Sequence, residues 1–174
     1  MYKKIIYLSQ SLQENNIENK NYNTEAIINK IVDELEIILE NTSKYIVYRN
    51  NPGMILDDII TQSNRIEPDI HVAIHINVDE VEGTEIFVYK PGIKSEILAK
   101  DIYSSIHRVY YNKSYVKGIK YDTKIQELSK TMATALKIEI NANINDIKWI
   151  KNNTYIIAQA IADGINTYFK KISV

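Results

Sequence analysis

The amino-acid sequence predicts a single α/β domain, with a twisted, mostly parallel or mixed sheet flanked by helices on both faces. Two observations carry that expectation. Short apolar runs suited to buried strands alternate with longer segments whose apolar residues recur at helical spacing. The 174 residues are enough for one sizeable core and show neither an internal repeat nor a linker, so residues 1–174 are read as one domain.

The first element is a short buried strand at residues 3–8, "KKIIYL", followed by the polar, Asn-rich run "SQSLQENNIENKNYN" as a loop. From Thr24, a suitable N-cap, the pattern turns helical: Ile28, Ile31, Val32, Leu35, Ile38 and Leu39 fall on one face. "YIVYR" (45–49) reads as the second strand, "NNPG" (50–53) as a turn and "MILDDIITQSN" (54–64) as a short helix. Strands at about 69–76 and 83–89 come next, then a helix at about 95–109 bearing Leu98, Ile102, Ile106 and Val109. After an irregular Tyr- and Lys-rich segment, the chain closes with a strand at 133–140, a short helix near 145–152 and a helix at 154–171.

Composition excludes several kinds of chemistry. The 21 basic and 22 acidic residues leave no net field to attract nucleic acid or anionic lipid. With no cysteine there is no thiolate metal site and no cysteine nucleophile, so any metal must take nitrogen and oxygen ligands. The longest apolar stretches are interrupted by Lys, Asp or Gln, which argues against membrane insertion. The apolar run Ile5 to Leu8 is too brief for a signal-peptide core. Only 5 glycines occur and none forms a Gly-rich loop after a strand, which ranks a nucleotide or phosphate binder last.

Candidate chemistry begins at "PDIHVAIHIN", where His71 and His75 stand four residues apart. On a helix such a pair shares one metal ion, but Val72, Ile74 and Ile76 and the preceding Pro68 favour a strand. Four strand residues separate the histidines by about 13 Å, so they do not hold one ion together. Ligands of open α/β sheets bind beyond the carboxyl ends of the strands, which makes His75 the candidate and His71 structural. Taken alone, His75 also fits a hydrogen-bonded strand-end histidine. Glu25 lies on the apolar stripe of its helix, three residues before Ile28 and seven before Val32, and a ligand role competes there with simple complementation of the helix dipole. Glu139 alternates with Leu136, Ile138 and Ile140, and periodicity alone puts it on a solvated strand face beside Lys137.

Taken in order with their surroundings, these segments resemble the zinc-dependent N-acetylmuramoyl-L-alanine amidases of the amidase type 3 family. "NTEAIINKIVDELE" looks like the family's first helix, "VYRNNPGMILDDIITQSN" like its Arg-bearing strand and following helix, and "PDIHVAIHIN" like its Asp, apolar run, His-x-Asn signature. "GTEIFVYK", "TALKIEINANIND" and "IAQAIADGINTYF" resemble the next strand, the segment with the catalytic glutamate and the closing helix. The resemblance implies one zinc at the carboxyl-side sheet edge, Glu25 and His75 as its ligands, Glu139 as the catalytic carboxylate and Asn77 shaping the substrate side of the strand end. The family's ligand histidine after the first strand has no counterpart: Leu12 or Gln13 falls at that position, and the amide oxygen of Gln13 is the expected third ligand, ahead of Glu14. Lys137 replaces an apolar residue beside the catalytic glutamate.

The function so implied is hydrolysis of the N-acetylmuramoyl-L-alanine amide of bacterial peptidoglycan by zinc-activated water, as in autolysins and endolysins. The alternative is an amidase-fold module with an impaired site that binds peptidoglycan or regulates wall lysis. No export signal is read, so action on the wall is expected after phage-type or lysis-dependent release, and otherwise a cytoplasmic location.

Overall fold

In the computed structural model, residues 2–10, 24–51, 53–78, 83–110, 112 and 116–172 are described, the side chains at 77, 78, 93, 144 and 145 excepted. The elements are β1 (Lys4–Gln10), α1 (Thr24–Glu40), β2 (Tyr45–Arg49), α2 (Leu56–Ile66), β3 (Ile70–Val78), β4 (Gly83–Val88), α3 (Ile93–Val109), β5 (Val116–Tyr121), α4 (Gln126–Lys130), β6 (Thr134–Ala142), α5 (Ile144–Asn152) and α6 (Thr154–Ile172). Most lie within a few residues of the expected spans. The exceptions are β5 and α4, which occupy the segment read as irregular.

The strands form a six-stranded sheet in the order β2-β1-β3-β6-β4-β5. β2, β1, β3 and β6 run parallel; β4 is antiparallel to β6 and parallel to β5. The mixed sheet follows from connection length. Long crossovers through α1 and α2 make parallel neighbours, and β4 reverses direction after the short connection from β3.

Because partners in register share a face, the sheet separates cleanly into two sides. Ile6, Leu8, Ile70, Val72, Ile74, Leu136, Ile138, Ile140, Ile86 and Val88 form one largely apolar side, with Gln10, Thr84 and Thr134 at its margins. It is covered by α1, α3 and α6, whose apolar residues join the same core. At the α3–α6 crossing, a Cβ on Gly164 would stand 2.5 Å from the Cα of Ile102, so only glycine allows the helices this close. Helix α2 ends where Glu67 turns left-handed (φ 53°) ahead of Pro68, which cannot continue a helix.

The other side carries Tyr7 and Ser9 on β1, His71, Ala73 and His75 on β3, Ala135, Lys137 and Glu139 on β6, and Glu85 and Phe87 on β4. It is not a solvated face. Side chains from α2 and α4 bond directly to its polar residues, so these groups are enclosed and must find partners in the protein.

Candidate active site

The carboxyl ends of β1, β3 and β6 lie side by side, and the register brings His75 next to Glu139. Asn77 follows two positions after His75, its backbone in register with Asn141. In the antiparallel ladder Glu139 also faces Glu85, which is paired with Lys120. The Lys137 ammonium lies 3.2 Å from Glu139 Oε1, with their side chains only 12% and 16% exposed. Glu139 is therefore held in an enclosed ion pair, not displayed on the solvated face that its alternation suggests.

The histidines are organised from below by a residue that sequence reasoning did not single out. Glu127, on the short helix α4, is 2% exposed. Its Oε1 accepts a hydrogen bond from Ser9 Oγ and another, at 3.1 Å, from His71 Nε2, and its Oε2 lies 3.5 Å from His75 Nε2. The only residue between the histidines on this face is Ala73, opposite Ser9, and these small side chains leave the space that the carboxylate fills. The 13 Å expected between the histidine backbones is thus spanned by one carboxylate. Burial pushes the Glu127 carboxyl up, but the hydrogen bonds from His71 and His75 outweigh it and hold the group well below the usual carboxylate range.

His71 is fixed on every side. Its ring stacks on Tyr7 at a centroid distance of 5.1 Å, and the Tyr7 hydroxyl donates to Gln62 at 2.6 Å. With Nε2 donating to Glu127, Nδ1 is hydrogen-bonded to Ser63 Oγ at 2.9 Å. Ser63, His71 and Glu127 have the order of a nucleophile, base and acid relay. Ser63 and His71 are nevertheless completely buried, so no substrate reaches the hydroxyl, and the arrangement is a satisfied core network.

At the end of β1, Asn50 accepts from the Gln10 N–H and donates to the Gln10 carbonyl, both at 2.9 Å. Arg49 donates to Gln10 Oε1 at 3.0 Å and pairs with Asp33 and Glu36 of α1. These contacts fix where the chain leaves the sheet, and Gln13, Leu12 and Glu14 beyond it lie outside the described residues. Glu25 is exposed in the first turn of α1. It keeps its place on the helical stripe of Ile28 and Val32, but those residues are buried and Glu25 is not.

The site thus brings a histidine and an enclosed carboxylate together at the carboxyl edge of a mixed α/β sheet. The sequence profile of the N-acetylmuramoyl-L-alanine amidases matches residues 11–167, and the chain belongs to that family, whose substrate is bacterial peptidoglycan. Solved structures with the same fold include an N-acetylmuramoyl-L-alanine amidase from Clostridium difficile 630, with TM-score 0.82, 18% identity and 97% of each chain covered. The catalytic domain of the amidase CwlV from Bacillus (Paenibacillus) polymyxa var. colistinus gives TM-score 0.81 and 19% identity over 96% of this chain and 98% of that one. The catalytic domain of the CD27L endolysin, which targets Clostridia difficile, gives TM-score 0.75 and 19% identity over 94% and 97%. No curated protein sequence matches.

Members of this family are generally zinc-dependent. The available donors are of the right kind, imidazole nitrogen and carboxylate oxygen. Among the described residues, no three His, Cys, Asp or Glu side chains converge as a metal site. Of the expected donors, Glu25 and His75 are described and Gln13 is not. Also among the described residues, no helix is long and apolar enough to cross a membrane.

Proposed function

We propose that the protein cleaves the amide between the lactyl group of N-acetylmuramic acid and L-alanine, with Glu139 as the catalytic carboxylate. Glu25 and His75 would hold a single zinc ion, with the Gln13 amide as the third ligand expected from the sequence. The chemistry the ion supplies when bound is polarisation of the scissile carbonyl and acidification of the attacking water.

The remaining work falls to the chain. Glu139 takes the proton of the water whose oxygen joins the carbonyl carbon, then returns it to the departing alanine nitrogen as the C–N bond breaks. Lys137 keeps the carboxylate oriented from below, and Asn77 shapes the substrate side of the β3 end. The observation that supports this assignment is the register pair of His75 with Glu139 at the strand ends, within a chain matched to the family over residues 11–167.

The test is zinc content of the purified protein together with release of L-alanine-headed peptides from peptidoglycan. Both are expected, and His75→Ala is expected to abolish both. A folded protein that binds no added zinc, yet sediments with peptidoglycan, would instead establish the wall-binding module suggested by Leu12 and Gln13 where the family has histidine.

A further inference from the structure

We infer that Glu127 is a positioning residue for His75: its carboxylate fixes the ring so that Nε2 faces the core and Nδ1 faces outward, toward whatever His75 binds. The role in hydrolysis rests on the amidase reading above, whereas the orientation of the ring does not.

Three observations carry the inference. Glu127 is almost completely enclosed, and its Oε1 is already occupied by Ser9 and His71, which fixes the carboxylate plane. Oε2 is thereby aimed at His75 Nε2, 3.5 Å away. That separation is at the outer limit of a direct hydrogen bond, and such contacts are often long before a ligand is bound. Finally, an acceptor facing Nε2 selects the tautomer with hydrogen there, since a carboxylate presents only lone pairs. Metal-ligating histidines are held in this way by an acceptor on their other nitrogen, and the loss of such an acceptor weakens metal binding about 10- to 100-fold.

His71 explains why the carboxylate can be so placed. Clamped between Tyr7, Ser63 and Glu127, it is the fixed post from which the carboxylate extends to His75. The two histidines of the strand thus have different tasks, joined by one side chain from a helix more than fifty residues later.

The experiment reads the His75 tautomer in zinc-free protein by long-range proton–nitrogen correlation, then zinc affinity, then kcat and KM on peptidoglycan. Wild type is expected to show one tautomer, protonated at Nε2. Glu127→Gln is expected to give a mixture, weaken zinc binding about 10- to 100-fold and lower kcat with KM little changed. Glu127→Asp, too short to reach both rings, should behave in the same way, whereas Ser63→Ala should leave the His75 tautomer as it was. Folded Glu127→Gln with an unaltered tautomer and unaltered zinc affinity overturns the inference. So does a wild type already protonated at Nδ1, a readout that needs no variant to fold. If wild type neither binds zinc nor releases peptide, the amidase reading fails, and the tautomer comparison still decides the role of Glu127.

Discussion

Replacing Glu139 with glutamine separates chemistry from structure at the proposed centre. The amide matches the carboxylate in size and retains an oxygen for the Lys137 ammonium, now 3.2 Å from Oε1. A charge-assisted hydrogen bond contributes about 1.5–3 kcal/mol and is roughly twice as strong as a neutral one, so the swap costs about 1 kcal/mol of stability. In a domain of this size that lowers Tm by about 2–4 °C. The glutamine cannot accept the water proton, and loss of a general base is expected to lower the rate about 10²- to 10⁴-fold, or about 3–5 kcal/mol in the barrier. Because the proton moves only in the transition state, kcat and kcat/KM should fall together with KM unchanged. The assay is peptide release from purified peptidoglycan, beside a thermal melt of the same sample. Activity within about tenfold of wild type, a factor smaller than any general base supplies, would refute Glu139 as the catalytic carboxylate.

Three further predictions concern the frame. Gly164→Ala places a Cβ 2.5 Å from the Ile102 backbone, so α3 and α6 must separate; a loss of about 1–3 kcal/mol is expected, measured by urea unfolding. Asn50→Ala strands the buried N–H and C=O of Gln10, at about 1–3 kcal/mol for each unsatisfied group, and hydrogen exchange at the Gln10 amide should accelerate along with the fall in Tm. Alkaline lability should trace to buried tyrosines. Burial raises the phenols of Tyr7, Tyr45 and Tyr168, with the Glu127 charge adding to the effect at Tyr7. The unfolded chain then ionises first, so stability is complete below about pH 10 and falls above it by up to about 1.4 kcal/mol per pH unit per group. Tyr7→Phe should make that slope shallower in denaturation curves taken between about pH 9 and 11; an unchanged slope would remove Tyr7 from the account.

Much of the fold was legible because its elements carry their own periodicity. Strand β2 occupies the expected residues 45–49, and the stripe from Ile28 to Leu39 defined α1 before any contact was known. The missed elements lack such a signal. β5 is an edge strand in which Gly118 interrupts the alternation, and the five residues of α4 are too few to repeat a helical period. The site divides along the same line. His75 and Glu139 stand together because each is fixed by its own strand, whereas Glu25 shares the helical stripe of Ile28 and Val32 without sharing their burial, which spacing alone does not distinguish. Glu127 was invisible for a different reason. Nothing in "QELSK" marks its glutamate as buried, and the available hint lay elsewhere: Tyr7, Ser9, His71 and His75 share a face otherwise headed for the interior, and buried polar groups require a partner.

The side chain of Asn50 treats Gln10 as a neighbouring strand would, completing both backbone bonds at the end of β1. The margin of the sheet is thereby closed by a side chain and not by another strand, and the last described rung of β1 depends on a residue forty positions away.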